Sequence, residues 1–429
     1  MNGKSPFFSI VMPTRNRAHF LRCSLQTALE QTYDDYEIVV SDNYSSDDTP
    51  KVVQELGNQR VRYVRTDKAL SMPESWEFAL SHARGEYVTF LSDDEARSPR
   101  LLETAAKIIS ERNVELVVWP YCCYYYSTWY DRLCRNALSI FPFTAQVYDL
   151  DSLPTLTGWF TSFSSVGRLP LLTNSVYHRA LIGRVKSQVL RLTPILAWDI
   201  FSAILILSEV DKYCYVDIPL VIFGMGEQSI TSSLLHYRNG AGMAYIEEFP
   251  DQGNLQHVPL RMLTMHNFMA DALLEAKKAV GDKLRSMELD WEQYFVKCYE
   301  DLMHLKNRNI NICSDLEEFH RVLSHRPSDL QERVLSSIES LQNYDKNPWK
   351  KVMRRLINNS SILMRLEMLL RPQVKFTRDS FIRGEEAGFN NILECARKFD
   401  SILLNCFAQY RAYSKYYPVG NVPRHVIEA

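Results

Sequence analysis

Carboxylates gather at two places where an apolar run stops. One is Ser41-Asp42-Asn43-Tyr44-Ser45-Ser46-Asp47-Asp48-Thr49, and the other is Phe90-Leu91-Ser92-Asp93-Asp94-Glu95. Adjacent carboxylates repel, and a divalent cation relieves that repulsion. Oxygen ligands short of a full set suit Mg2+ or Mn2+, whose remaining positions go to phosphate oxygens. Such a metal neutralises charge on a departing diphosphate. Asp42, at the end of its own run, can accept the imide N–H of a uracil or thymine ring. Each cluster also has a plainer account. The first is a polar loop in which Ser46 or Asp47 caps the next helix. The second is an acidic loop that favours the start of the helix opened by Pro99 and Arg100.

The elements around these clusters alternate regularly. Strand patterns at Phe7 to Met12, Glu37 to Ser41, Val61 to Val64, Glu86 to Leu91 and Glu115 to Trp119 are separated by helix patterns. Those helices are Ala18 to Gln31, Asp48 to Leu56, Glu74 to His82 and Pro99 to Arg112. The order predicts right-handed crossovers and a mostly parallel sheet. Ligands of such sheets sit at the carboxyl ends of the strands, here just after Met12, Ser41 and Leu91. Residues 121 to 235 are less regular, with a buried helix at Ile195 to Ser208 and two short strands in Tyr213 to Phe223, broken at Pro219. Beyond about 238 the pattern turns helical, over 257–280, 285–305, 314–342, 348–370 and 384–410.

With both clusters placed, residues 6 to 235 resemble a family 2 glycosyltransferase of the GT-A fold. Ser9-Ile10-Val11-Met12-Pro13-Thr14-Arg15-Asn16-Arg17 is similar to the family's opening strand and nucleotide-contacting turn. Asp42 matches its base-binding Asp. The stretch from Ser71 to Val88, with Ala83-Arg84-Gly85, resembles the helix, turn and strand leading to the metal site, although Ser75 stands near where the family often has Asn. Ser92-Asp93-Asp94 resembles the DXD element with Ser92 in place of the first Asp. The resemblance implies Asp94 as metal ligand to Mn2+ or Mg2+, and Asp93 on the ribose or sugar hydroxyls. It also implies donor contacts from Pro13, Thr14, Arg15, Asn16, Asp42 and Arg84. Arg15 and Arg17 suit bidentate contact with the diphosphate. Pro194 to Phe201 resembles the segment holding the general base, so Asp199 carries that role and inversion at the anomeric carbon follows. Its flanks Trp198, Ile200 and Phe201 would desolvate it and raise its basicity. The alternative is a helix-start Asp satisfied by backbone N–H groups. His236 is a candidate extra metal ligand, while His178 reads as a packing residue.

The expected architecture is therefore α/β: a GT-A catalytic domain over 1–237 and a mainly helical domain over 238–429. The nucleotide-sugar half is about 1–120 and the acceptor half about 121–237. The expected activity moves a sugar from a nucleoside diphosphate donor, a UDP-sugar favoured, to a glycan, lipid-linked or other acceptor. A catalytically silent nucleotide-sugar-binding module is one alternative, although Asp42, Asp93, Asp94 and Asp199 are all retained. Nucleotidyl transfer is another, but it usually needs a glycine-rich turn, and Pro13-Thr14-Arg15-Asn16-Arg17 has no glycine.

Bulk properties fit this picture. A formal charge of -2 leaves no basic footprint for nucleic acid. The nine cysteines are odd in number and scattered, which favours a reducing cytoplasm over a disulfide framework. The amino terminus lacks a leader-like apolar region. No run of about 18 apolar residues is present to span a bilayer, and Asp199 interrupts the nearest, Pro194 to Leu207. From Trp349 to Arg371, Lys350, Lys351, Arg354, Arg355, Arg365 and Arg371 face a single acidic residue, Glu367. A basic amphipathic segment of this kind can lie on an anionic membrane, where a lipid-linked acceptor would be found. A domain-packing helix with a solvated basic face is the plainer account.

Overall fold

The computed structural model describes residues 5–141, 143–163, 168–189, 191–192, 197–233, 240–346 and 381–414. His236, Pro194 to Leu196 and the basic segment 349–371 lie outside them. The chain divides into two compact units. One comprises Met1–Leu153, Gly167–Gly226 and Phe376–Ala429, and the other Pro154–Val166 and Glu227–Lys375.

The first unit opens with the expected alternation: β1 (Phe8–Thr14), α1 (Ala18–Leu29), β2 (Tyr36–Asp42), α2 (Thr49–Leu56), β3 (Val61–Arg65), α3 (Met72–Ser81) and β4 (Tyr87–Phe90). All seven residues of β1 are buried, which is how a strand reads when helices cover both faces of its sheet. On α1, Leu21 and Leu25 are fully buried one turn apart, and Ala28 continues the same face. Ser71 and Glu74 form a capping box that starts α3.

There follow β5 (Ala96–Arg97), α4 (Leu101–Arg112), β6 (Leu116–Val118), β7 (Tyr121–Tyr125), β8 (Ala137–Ser139), β9 (Val147–Asp151) and α5 (Ser152–Ser162). The next elements are β10 (Ser175–His178), α6 (Arg179–Gln188), α7 (Trp198–Leu207), β11 (Lys212–Val216) and β12 (Val221–Met225). The main sheet has the order β3-β2-β1-β4-β10-β6-β11-β9. It is mixed, because β10 runs antiparallel to both β4 and β6, and β9 antiparallel to β11. The two short strands expected around Pro219 are β11 and β12, and they belong to different sheets. The second sheet has the order β13-β8-β7-β12-β5, where β13 is Phe381–Arg383. The aromatic run after Trp119 thus forms an internal strand, β7, and the ring of Tyr121 stacks on Phe223 at 4.0 Å.

The carboxy-terminal stretch differs from the expected appendage over 238–429. The helix Ile392–Ser414 returns to the first unit, where Ile392, Cys395, Ala396, Phe399 and Leu403 join the same apolar core as Leu21 and Leu25. Its apolar face is what a solvent-exposed appendage could not afford to leave uncovered. Ser98 donates to Asp400 at 3.0 Å, and Arg397 pairs with Glu30. The second unit is helical, with helices Gly240–Glu248, Met265–Val280, Trp291–Lys306, Cys313–Ser324 and Ser328–Lys346. Its core includes Phe268, Leu273, Tyr294, Phe295, Leu302 and Phe319. Among the described residues no helix is long and apolar enough to cross a membrane.

Candidate active site

Strand register brings the separated motifs together. β1 lies between β2 and β4, with Thr14 opposite Asp42 and Val11 opposite Phe90. The Leu91 N–H continues the ladder onto the Val11 carbonyl at 2.9 Å. The turns after Thr14, Asp42 and Leu91 therefore emerge on one edge of the sheet. Asn16, at φ 53, clasps the neighbouring loop: its N–H donates to Ser45 Oγ at 2.9 Å, and its Oδ1 accepts from the Ser46 N–H at 2.7 Å. Asp47 stitches the same loop to α1 by accepting from the Ala18 N–H at 2.9 Å. It also accepts from the N–H of Thr49, the first residue of α2, at 3.0 Å, but the N-cap of that helix is Asp48 with no side-chain capping bond, so the capping expected of Ser46 or Asp47 is not made.

At the centre, two carboxylates close on one cation. Arg17 places NH1 at 2.9 Å from Asp93 Oδ1 and NH2 at 2.6 Å from Asp94 Oδ2. The remaining oxygens are held by hydroxyls: Thr14 donates to Asp93 Oδ2 at 2.7 Å, and Ser92 to Asp94 Oδ1 at 2.7 Å. Burial, countered by Arg17 and reinforced by the Asp94 charge, pushes the Asp93 carboxyl up to about 6. Burial, with Asp94 adding to it, pushes Glu95 up to about 8. The guanidinium of Arg17 lies 5.0 Å from the centroid of the Phe20 ring.

The backbone of this loop is gripped from behind. Tyr126 donates to the Asp94 carbonyl at 2.9 Å, and Ser24 to the Ser92 carbonyl at 3.0 Å. Gly224 on β12 comes so close that a Cβ there would stand 1.9 Å from the Asp94 carbonyl oxygen. Arg97, fully buried and lowered to about 10 by desolvation, donates to the carbonyls of Phe90 and Thr173.

Asp42 is placed at the expected strand end but is not an open acceptor. Its side chain is 0% exposed. Oδ1 accepts from the Ser45 N–H at 2.8 Å, and Oδ2 accepts from the Tyr63 hydroxyl with Arg65 NH1 at 3.5 Å. These three donors use three of about four lone-pair sites on the carboxylate. Over it lie Arg65 and Tyr44, with the guanidinium 5.5 Å from the ring of Tyr44, a residue 51% exposed.

Arg84 does not join the group. It precedes β4 at the opposite edge of the sheet, where its N–H donates to Ser9 Oγ and Glu37 Oε1 at 3.1 and 2.7 Å. The sequence places Arg84 close to the acids, but the length of β4 carries them to opposite ends. Pro13 is buried within β1 opposite Ser41, and Arg15 is half-buried in the following turn. His178 packs its ring edge-on to Tyr87 at 4.9 Å, as a packing residue does.

Asp199 lies in the first turn of α7, where its Oδ1 accepts from the Ile200 N–H at 2.8 Å. Burial raises its carboxyl above the ordinary range. Burial first, and the Asp199 charge among lesser causes, raise the hydroxyls of Tyr121 and Tyr177. Tyr177 in turn feels the buried Arg97, and Arg97 feels Glu95.

Residues 9–166 match the family model described as Glycosyl transferase family 2. This segment is a family 2 glycosyl transferase domain. Its mixed, helix-flanked sheet is the GT-A arrangement, and the carboxy-terminal region of the chain is largely helical. Similar curated proteins include the UDP-Glc:alpha-D-GlcNAc-diphosphoundecaprenol beta-1,3-glucosyltransferase WfgD of Escherichia coli, 29% identical over 113 residues, which cover 26% of this chain and 45% of that protein. Another is the GalNAc(5)-diNAcBac-PP-undecaprenol beta-1,3-glucosyltransferase of Campylobacter jejuni, 36% identical over 109 residues, or 25% of this chain and 35% of that one. The chain thus spans less than half the length of these relatives. Among solved structures, S. aureus TarS 1-349 in complex with UDP-GlcNAc superposes with a TM-score of 0.44 at 16% identity, covering 70% of this chain and 88% of that one. The mannosyltransferase PcManGT from Pyrobaculum calidifontis, in complex with GDP-Man and Mn2+, gives 0.39 at 15% identity, covering 78% and 87%.

The residues that lock the family 2 domain's acidic loop were hardest to anticipate. Tyr126 and Gly224 meet Asp94 from far along the chain, with no local motif to mark them. Arg17 had a signal, an arginine suited to phosphate, but its place on the two acids had none.

Proposed function

We propose that this chain is a metal-dependent glycosyltransferase. It takes the sugar of a nucleoside diphosphate donor, a UDP-sugar favoured, and passes it with inversion to a lipid-linked or other saccharide acceptor. The observation that carries the reading is the convergence of Thr14, Arg17, Asp93 and Asp94 at the carboxyl ends of β1 and β4, inside the family 2 domain. The curated relatives named as diphosphoundecaprenol glucosyltransferases support the donor and acceptor classes.

The acids fit a divalent cation. Asp93 Oδ1 and Asp94 Oδ2 already converge on one positive charge, the Arg17 guanidinium, and both are hard oxygen donors. Among the described residues no group of three His, Cys, Asp or Glu side chains stands ready for a metal. Two carboxylates leave coordination positions that diphosphate oxygens would have to complete. Asp94 would hold Mn2+ or Mg2+, and the ion would supply charge neutralisation to the leaving diphosphate. Asp93, fixed by Thr14, is suited to the ribose or sugar hydroxyls. The base would lie against Tyr44 and Arg65, reaching Asp42 where Arg65 lifts from it. Asp199 takes the proton of the acceptor hydroxyl as that oxygen attacks the anomeric carbon.

Scattered free cysteines among the described residues accord with action in a reducing cytoplasm. Peripheral membrane contact through 349–371 is tested by flotation with liposomes at low salt; failure to bind with anionic lipid would end that idea. The donor reading is tested by calorimetry with UDP, dTDP and GDP, each with and without Mn2+. Metal-dependent binding of at least one is expected, and binding of none would contradict the reading.

A further inference from the structure

The acidic loop presents a puzzle for a metal site: a cation of the protein's own already sits where the metal should go. Arg17 spans both carboxylates, with contacts of 2.9 and 2.6 Å, while the other two carboxylate oxygens are engaged by neutral hydroxyls. A neutral hydroxyl can rotate and share an oxygen with a metal. A guanidinium cannot, because a metal about 2.0–2.2 Å from Asp94 Oδ2 would meet a like charge almost in contact. Arg17 is therefore the one group in the described loop whose charge must leave before a divalent ion can bind.

Its present seat is also incomplete. The Nε atom is buried with no hydrogen-bond partner among the described residues, although the side chain as a whole is 22% exposed. A buried guanidinium N–H without an acceptor is a standing cost, which a better partner would remove. Arg17 is moreover the N-cap residue of α1 and makes no side-chain capping bond. Nothing in the helix start ties its side chain down, and the Phe20 ring beneath it gives the guanidinium a face to slide over.

We propose that Arg17 is a resident counter-cation that exchanges partners when the donor binds, leaving Asp93 and Asp94 to the metal and moving onto the diphosphate. This rests on the donor-site reading above and gives it a rule of assembly. Metal and diphosphate enter together, because each supplies what the other's arrival displaces: the metal replaces Arg17 on the acids, and the phosphates replace the acids on Arg17. By reciprocity, nucleotide should raise metal affinity by the same factor as metal raises nucleotide affinity.

The test is Mn2+ binding, followed by the paramagnetic signal of the free aqueous ion, for the native chain, Arg17→Gln and Arg17→Lys, each with and without UDP. Without UDP, Arg17→Gln should bind Mn2+ about tenfold or more tightly than the native chain, and Arg17→Lys should fall between them. With UDP, the gain in affinity conferred by the nucleotide should shrink in Arg17→Gln by a similar factor. Unchanged or weaker Mn2+ binding by Arg17→Gln without UDP would overturn the proposal. Should melting curves show that variant unfolded, Arg17→Lys decides alone: tighter binding than native supports the exchange, and equal or weaker binding refutes it. The nucleotide-free arm judges Arg17, whereas UDP-dependent uptake by the native chain judges the donor site, so either can fail by itself.

Discussion

Asp93 and Asp94 are neighbours in sequence that are held by different partners. Asp93 is locked on one side by the Thr14 hydroxyl, whereas Asp94 is oriented by Ser92 and its own backbone is gripped by Tyr126. Ser92 thus serves as a hydroxyl that orients Asp94 two residues on. Asp199 is a different kind of acid, alone in the first turn of a helix and raised by burial. A base works only when deprotonated, so a raised value moves the loss of activity on acidification to higher pH. The acidic limb of the pH–rate profile should lie above the ordinary Asp value of about 3.9. Asp199→Asn should lower turnover by about 10²- to 10⁴-fold while leaving UDP binding intact. Full turnover in that variant would remove Asp199 from the mechanism.

At the scale of elements, β1 is the organiser. It pairs with β2 and β4 and feeds its own turn between their two acidic loops, so a shift in any one strand would separate the motifs. The second sheet then fixes the loop from the side through Gly224. Any side chain there would collide with the Asp94 carbonyl and the Tyr126 ring, at 1.9 and 2.7 Å from its Cβ. Gly224→Ala should therefore displace the loop, weakening Mn2+-dependent UDP binding about tenfold or more and lowering the melting temperature. Native-like affinity, measured by calorimetry, would show that the loop has room to give.

The strand-end acids were legible because their position follows from local pattern: an apolar run, then carboxylates, then a helix start. Arg84 misled because its neighbourhood in sequence resembles the approach to the metal site, while β4 carries it to the far edge. Asp42 was legible as a position but not as a carboxylate already held by its neighbours, since Tyr63 and Arg65 come from the next strand. Contacts such as Gly224 to Asp94 depend on how two sheets meet, which no local periodicity encodes.

For the molecule as a whole, the boundary expected near residue 237 does not separate a catalytic half from a tail. The first unit needs residues from both ends of the chain, because the helix Ile392–Ser414 packs on α1 and joins the core that β1 and α1 build. Helical spacing in 384–410 revealed the helix but not its destination. Phe399 is 1% exposed in that core, and Phe399→Ala should cost about 3–5 kcal/mol. Denaturant unfolding should report that loss in the transition of the catalytic unit. A loss within error of zero would mean the carboxy-terminal helix contributes no core there.

The proposed donor site is assembled from a metal, a diphosphate and Asp94. Its most direct test is calorimetric titration of UDP into the native chain and into Asp94→Ala, with Mn2+ present and absent. The native chain should bind UDP only when Mn2+ is present, and Asp94→Ala should show no metal-dependent binding. UDP binding that ignores Mn2+, or an Asp94→Ala variant that keeps the full metal dependence, would contradict the account.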